Sequence, residues 1–246
     1  MSRAEPTLPP QLPFRMPSKI LLIETSTSLC SVALAAGGRI VACRESDHPR
    51  AHAAMTAPFV KEVLDEAGLG ASALDAVCVS AGPGSYTGLR VGVSTAKGIC
   101  FAAGVPLLSV GTLEVLVHQA VADGLLPAGC RHVIPLIDAR RMEVYTAVFT
   151  PDGQQLTEVE PRVVDAESFR DEREAGPVLF IGDGADKCRE ALAGPGAHFA
   201  QACPRASAML VPAMRELEAG HFQDTAYFEP FYLKQFVATV SQKRLF

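Results

Sequence analysis

Three short segments of this 246-residue chain place carboxylate, hydroxyl and glycine residues where they could bind a phosphate or a metal ion. The first segment, ETSTS, begins at Glu24, directly after the apolar run KILLI. A carboxylate beside hydroxyl groups and turn amides could hold a metal–phosphate group, and the candidate residues are Glu24, Thr25 and Ser26. The alternative is a hairpin turn in which the Ser and Thr side chains bond to the local backbone.

The second segment, GPGSYTG, lies between a predicted strand and a predicted helix. A glycine-rich loop at a helix N-terminus presents backbone N–H groups to an anion. Lys97 lies in the body of that helix, so it cannot act as the lysine of a Walker loop. The segment could equally be a tight turn capped by one of its hydroxyls. The candidate anion-binding residues are Gly82, Gly84, Ser85 and Thr87.

The third segment, GDGADK, leads from a predicted strand into a predicted helix. Gly182 and Gly184 could contact a nucleotide, or the segment could be a tight corner capped by Asp183. The residues alone do not decide between the two interpretations.

Other residue types with chemical potential form no recognisable site. His48 and His52 are four residues apart, but a proline separates them and no third ligand is near, so we expect no bound metal. The seven cysteines are scattered and odd in number, as expected for reduced thiols in the cytosol. Because no Ser/His/Asp or Cys/His set stands in a recognisable context, we predict no catalytic residue.

A stripe of small residues follows the glycine-rich segment on the next predicted helix. Its members are four residues apart and therefore share one helix face: Gly88, Gly92, Ala96 and Cys100. Glycine inside a helix costs ~1 kcal/mol relative to alanine, so Gly92 needs a reason such as the close approach of another element. That element could be the protein's own sheet or a helix of a partner.

Hydrophobic patterning predicts the elements that carry these segments. The first half contains strands at Lys19–Thr25, Leu29–Ala36, Arg39–Arg44, Asp75–Ser80 and Pro106–Val110, and helices at His52–Ala67, Gly88–Ala103 and from the N-cap Thr112 to Ala122. The second half contains strands at Val133–Asp138, Glu143–Thr150 and Val178–Gly182, a further strand after a turn at 151–153, and helices at Ala166–Arg170, Ala185–Leu192 and Ala206–Ala219. The stretch from Gly194 to Pro204 has no predicted element.

The two halves begin alike, which indicates a duplication. The strand ILLIE, starting at Ile20, matches IPLID, starting at Ile134, 114 residues further along the chain. At the same offset, Ala33-Leu34 matches Ala147-Val148. We therefore predict an α/β fold of two duplicated βββαβα-type domains, with mixed sheets flanked by helices and a cleft between them.

The predicted organisation has four parts. Residues 1–17 form a Pro-rich extension without the apolar stretch of a signal peptide, and translation could begin at Met1 or at Met16. The domains span residues 18–122 and 130–220, and residues 221–246 form a tail that packs back on the body. The net charge of −5 argues against a protein that binds nucleic acid by its own field. No apolar run is long enough to predict a transmembrane span.

Longer motifs resemble those of a known family. The runs ILLIETSTSLCSVAL, AGPGSYTGLRVGVSTAKG, PLIDARRMEVYTAVF and GDGADK resemble the bacterial TsaB (YeaZ) family. This family belongs to the wider ASKHA group, which also holds the Gcp/TsaD-like (peptidase M22-like) proteins, and the resemblance implies two ribonuclease-H-like domains.

The resemblance also implies a role. TsaB-like proteins act with a TsaD-like paralogue and a TsaE-like ATPase to form N6-threonylcarbamoyladenosine beside the anticodon of ANN-reading tRNAs. The chain is then expected to be a cytoplasmic, non-catalytic scaffold that meets tRNA only through the complex and forms a homodimer when alone. It would need no cofactor of its own, because ATP and metal would be bound by the partner subunits.

Several positions bear on that implied role. Thr112 and Leu116 stand where TsaD-like proteins carry their two metal-binding histidines, and Glu24 stands where family members mostly carry Asp. The family further implies a four-helix contact with the partner, for which the candidates are His52, Met55, Phe59, Gly88, Gly92, Ala96 and Cys100. The alternative function is an ASKHA-type phosphotransferase or an M22-like metallopeptidase acting on its own.

Overall fold

Two five-stranded mixed sheets form the framework of the chain. The computed structural model describes residues 18–49 and 51–233, so the Pro-rich extension and residues 234–246 of the predicted tail lie outside the described residues. The first sheet has the order β3-β2-β1-β4-β5 and the second the order β8-β7-β6-β9-β10. The strands are β1 (Lys19–Glu24), β2 (Cys30–Ala36), β3 (Arg39–Ser46), β4 (Ala76–Ser80), β5 (Leu107–Val110), β6 (His132–Asp138), β7 (Glu143–Thr146), β8 (Glu160–Val163), β9 (Val178–Gly182) and β10 (Ala197–Gln201).

The two sheets have the same topology. The central strand, β1 or β6, is antiparallel to the strand that follows it and parallel to β4 or β9, respectively. Leu22 pairs with Ala33, and its equivalent Leu136 pairs with Thr146. The offset of 114 is therefore right for β1 and β6, but the predicted match of Ala33 with Ala147 is wrong by one residue, because the turn after β6 is one residue shorter.

Six helices accompany the strands in the described part of the chain. They are α1 (His52–Glu66), α2 (Tyr86–Ala103), α3 (Thr112–Ala122), α4 (Arg170–Glu174), α5 (Ala185–Leu192) and α6 (Leu210–Ala219). The termini of α2 are specified by sequence: the Ser85 hydroxyl accepts a hydrogen bond from the Gly88 N–H, and Gly104 ends the helix with φ of +68°. No described helix is long and apolar enough to cross a bilayer.

Four boundaries differ from the prediction. Gly111, not Thr112, is the N-cap of α3, and the Thr112 hydroxyl bonds instead to Ser80. Strand β7 ends at Thr146 rather than at residue 150. Residues 166–169 form turns, so the predicted helix begins only at Arg170. The stretch predicted to be irregular contains β10, which pairs in parallel with β9 through backbone bonds that no hydrophobic pattern signals.

The helices cover both faces of the first sheet and join the two halves. Helices α1 and α2 pack on the face that carries Leu21, Ile23 and Val79. The opposite face is covered by α6, which comes from the second half, through Ala213 and Leu217, and by Met209 directly before that helix. Helix α3 packs in turn on β6 and β9 of the second sheet through Leu113, Leu116, Val117 and Ala120. Each half thus covers part of the other half's core.

Candidate functional site

The carboxylate at the end of β1 is enclosed by the protein. Glu24 is 0% exposed. Its Oε1 accepts a hydrogen bond of 2.6 Å from the Ser26 N–H, while Oε2 has no hydrogen-bond partner among the described residues. Burial raises the pKa of Glu24 from 4.5 to about 7, because desolvation disfavours the charged form. Near neutral pH a large fraction of this side chain is therefore uncharged, which weakens it as a metal ligand.

The glycine-rich segment packs directly against the turn after β1. The Ser85 N–H donates to the carbonyl oxygen of Ser26 at 2.7 Å, and the Thr25 hydroxyl donates to the carbonyl oxygen of Gly88 at 2.9 Å. A Cβ on Gly84 would overlap the backbone of Ser26. Thr25 and Ser26 are buried as a result. The protein's own turn therefore occupies one side of this loop and takes up the Ser85 amide, and Gly84 is required for that close approach.

The small stripe on α2 faces the protein's own sheet. Added Cβ atoms on Gly88 and Gly92 would overlap the carbonyl oxygen and the hydroxyl of Thr25, respectively. Ala96 and Cys100 are buried in the core between the helices and the first sheet. Of the two interpretations of the stripe, internal packing is therefore the one that the geometry shows. The assignment of these four residues to a partner surface is corrected, because none of them reaches the surface.

The second-half loop is also closed by backbone packing. Gly182 has a φ of +143°, and a Cβ there would overlap the carbonyl oxygen of Leu136. That oxygen accepts a hydrogen bond of 2.9 Å from the Gly184 N–H. Asp183 accepts a bond of 2.8 Å from the Asp138 N–H, and burial raises its pKa. Both glycines thus serve the packing of this corner.

The carboxylate that corresponds to Glu24 in the second half is exposed. Asp138 ends β6 and forms an ion pair with Lys187 of α5. The same ammonium donates to the carbonyl oxygens of Arg141 and Glu143 at 2.8 and 2.7 Å. The sequence analysis did not single out Lys187 or the two arginines of this turn, although Lys187 is the last residue of the GDGADK segment. No described group of three or more His, Cys, Asp and Glu residues could hold a metal ion.

The partner-contact candidates on α1 are divided between core and surface. Phe59 is buried in the core against the first sheet, so its assignment to a partner surface is also corrected. Met55 is partly buried against that core, and His52 is partly exposed at the start of the helix.

A surface groove that the sequence did not reveal runs between α1 and α2. It has a volume of about 430 Å³, and its apolar lining includes Ala57, Val60, Leu64, Leu69 and Ile99. Phe101 lies beside Ile99 in sequence and is 87% exposed. The exposed ring of Phe101 is typical of a surface that contacts another protein, whereas Val60 and Leu64 of the groove lining are themselves buried.

The positions that correspond to the metal-binding histidines of TsaD-like proteins are enclosed. The Thr112 hydroxyl shares a 2.9 Å hydrogen bond with the Ser80 hydroxyl, and Leu116 is in the core against the second sheet. Neither side chain offers a metal ligand at the surface.

Comparisons with known proteins agree with this architecture. Residues 46–241 match the family described as "TsaD: tRNA N6-adenosine threonylcarbamoyltransferase". The TsaB protein of Bacillus subtilis is 31% identical over 66% of this chain and 70% of its own length. The TsaB protein of Escherichia coli is 36% identical over 54% of this chain and 56% of its own length. The match thus spans only about half of the latter relative.

A solved structure gives the same result over a longer range. YeaZ from Pseudomonas aeruginosa superposes with a TM-score of 0.78 at 30% identity, covering 88% of this chain and 100% of that protein. The predicted α/β fold with two duplicated mixed sheets, of the ASKHA type, is confirmed. The chain belongs to the TsaB (YeaZ) family, within the wider family to which TsaD belongs.

Proposed function

We propose that this chain is a non-catalytic scaffold subunit of an assembly that forms N6-threonylcarbamoyladenosine in tRNA. The curated relatives from E. coli and B. subtilis are named for tRNA threonylcarbamoyladenosine biosynthesis, which supports the pathway. In the proposed assembly a TsaD-like protein carries out the transfer beside the anticodon of ANN-reading tRNAs, and a TsaE-like ATPase takes part. All three would act in the cytoplasm.

The observation that carries the scaffold role is the outer surface of α1 and α2. The apolar groove between the helices is open to solvent, and Phe101 is exposed elsewhere on the surface of α2, two residues after Ile99 of the groove lining. On α2, Ser94, Gly98 and Phe101 follow one another at helical spacing on the exposed side. These residues lie on the side of α2 away from the buried stripe, so the helix can pack on its own sheet and on a partner at once. We propose that this surface binds the TsaD-like subunit, and a second copy of the chain when that subunit is absent.

The packing of the glycine-rich segment against the turn after β1 supports the non-catalytic part of the proposal. An ASKHA-type phosphotransferase would need open loop amides and an ionised carboxylate, whereas here the Ser85 amide bonds to Ser26 and Glu24 is buried with a raised pKa. We therefore propose that ATP and metal are bound by the partner subunits. The alternative of an independent phosphotransferase or metallopeptidase draws no support from these contacts.

Gly98→Arg tests the partner surface without disturbing the core. No atom lies within 4 Å of a Cβ built on Gly98, so the new side chain points into open space and the helix should tolerate it. We expect at least a tenfold loss of affinity for the TsaD-like protein, measured by isothermal titration calorimetry. tRNA modification by the reconstituted assembly should fall in parallel.

The matched control is Ala219→Arg, which adds the same side chain at an exposed position of α6. It should leave both affinity and tRNA modification unchanged. Wild-type affinity of Gly98→Arg would contradict the assigned surface. Full modification of tRNA by the TsaD-like and TsaE-like proteins without this chain would contradict the scaffold role.

A further inference from the structure

The turn between β6 and β7 holds two consecutive arginines in a backbone conformation that arginine rarely adopts. Arg140 has a φ of +72° and Arg141 a φ of +51°. Left-handed backbone is adopted easily by glycine and by asparagine, and such residues are preferred where a hairpin requires it. A turn that only reversed the chain would be formed at lower cost by those residues. The side chains of Arg140 and Arg141 therefore require a separate explanation.

The turn is held in this conformation from within the protein. Asp138 accepts a hydrogen bond of 2.7 Å from the Arg140 N–H, and Lys187 donates to the carbonyl oxygens of Arg141 and Glu143. Lys187 also pairs with the Asp138 carboxylate and so neutralises the acidic group at the start of the turn. The backbone is restrained by these contacts while the guanidinium groups take no part in them.

The two guanidinium groups face solvent. Arg140 and Arg141 are exposed, and neither forms an ion pair within the described residues. Each retains donors arranged in the planar fork that matches phosphate oxygens. The tip of a hairpin is convex and cannot enclose a small nucleotide, but it can lie along a chain of phosphates.

We infer that residues 139–142 contact the phosphodiester backbone of RNA, a contact made within the proposed tRNA-modifying assembly and resting on that proposed function. With a net charge of −5, the chain would not hold RNA by its overall field. A local pair of arginines can instead set the position of an RNA that is bound mainly by other subunits, since phosphate contacts fix register and orientation.

The test measures RNA binding by the assembled complex. The chain is combined with the TsaD-like protein, assembly is verified by size-exclusion chromatography, and an ANN-reading tRNA transcript is titrated by fluorescence anisotropy at several salt concentrations. For the variant Arg140→Gln/Arg141→Gln we expect weaker binding and a slope of log affinity against log salt that is smaller by about 1 to 2. Arg140→Lys/Arg141→Lys should retain most of that slope.

The control is Arg39→Gln, which removes an exposed arginine beside the β2–β3 turn in the other half and should leave affinity and slope unchanged. An unaltered slope in the double glutamine variant, with the complex assembled, would overturn the inference alone. The inference would also be overturned if the double glutamine variant lowered ATP binding by the complex and left its tRNA binding intact. If no complex forms, the proposed function fails, and the inference, which rests on it, fails with it.

Discussion

Glu24 and Asp138 occupy equivalent positions in the two halves but lie in opposite surroundings. Each ends the central strand of its sheet, 114 residues apart. Glu24 is sealed beneath a turn that packs into the glycine-rich loop, and burial raises its pKa. Asp138 is exposed and paired with Lys187, below a turn that carries two free arginines. The same topology therefore supports a closed, uncharged site in one half and an open, cationic turn in the other.

The difference shows how two halves of one topology can present different chemistry at equivalent strand ends. The hydrogen-bonding pattern of β1 with β2 and β4 is repeated by β6 with β7 and β9. The strands and connections differ, since β2 has seven residues and β7 has four, and residues 147–159 join β7 to β8 where a tight turn joins β2 to β3. The side chains at the strand ends differ as well, while the order and direction of the strands are repeated.

The largest expected effect comes from substitutions that disrupt close backbone packing at the ends of the central strands. Gly88→Ala should lower the free energy of unfolding by ~3 kcal/mol, because the new methyl group overlaps the Thr25 carbonyl oxygen. Gly182→Ala should cost at least as much, since it overlaps the Leu136 carbonyl oxygen and also requires a positive φ. Urea denaturation measures both.

Gly98→Ala is the matched control in the same helix as Gly88. Its Cβ meets no other atom, so it should raise stability by up to ~1 kcal/mol through helix propensity. If Gly88→Ala were as stable as Gly98→Ala, the close packing of the two segments in the first half would be refuted.

The second prediction uses pH to separate the two carboxylates. The pKa of Glu24 rises from 4.5 to about 7 on folding, so the folded state binds more protons than the unfolded state between these values. The stability that Glu24 contributes is thus fully present below pH 4.5 and is lost as the pH rises through 7. The shift of the Glu24 pKa corresponds to a loss of roughly 3 kcal/mol, at 1.36 kcal/mol per pKa unit.

Glu24→Gln should remove this loss, because a neutral amide has no proton to release. Relative to the wild type, the free energy of unfolding of the variant should therefore increase from pH 5 to pH 8, as measured by urea denaturation. Asp138→Asn is the comparison variant, and it should change stability by no more than ~1 kcal/mol, because it removes an exposed ion pair while an amide oxygen can still accept the hydrogen bond from the Arg140 N–H. A difference for Glu24→Gln that is constant with pH would contradict the buried, uncharged state.

The smallest effect concerns the strained turn of the second half. Arg140→Gly should raise the free energy of unfolding by ~1 kcal/mol, because glycine adopts a φ of +72° without the clash of a Cβ. Thermal unfolding followed by circular dichroism would show a higher Tm. A lower Tm would mean that the arginine side chain stabilises the fold, and would weaken the argument that it is retained for binding.

Most of the elements were predictable because their signals are local. The run of buried residues in β1, the helical periodicity of α1 and the glycine that ends α2 each depend on neighbouring residues only. Strand β10 was missed because its residues AHFAQ have no strong pattern and are ordered by parallel pairing with β9. The start of α4 was misplaced because residues 166–169 form turns, in which the Asp165 carboxylate accepts a hydrogen bond from the Glu167 N–H and Phe169 adopts a left-handed φ of +56°.

The candidate site was only partly predictable for a similar reason. Spacing alone correctly placed Gly88, Gly92, Ala96 and Cys100 on one face of α2. It could not tell which neighbour that face meets, since a sheet of the same chain and a helix of a partner both favour small residues. The surface that we propose for the partner therefore lies on the opposite side of the helix, where Gly98 and Phe101 are exposed.

The amino-acid sequence by itself determined the two-fold repeat, the order of most strands and helices and the family, because these follow from hydrophobic periodicity and contiguous motifs. Only the tertiary structure decided that the turn after β1 packs against the glycine-rich segment and that Glu24 is buried. It also decided that the Arg140 and Arg141 side chains are exposed on a turn whose backbone is bound by Lys187. These features depend on contacts between residues up to 63 positions apart, such as Thr25 and Gly88. Burial, pKa and access to ligand arise from such contacts, and no local pattern specifies them.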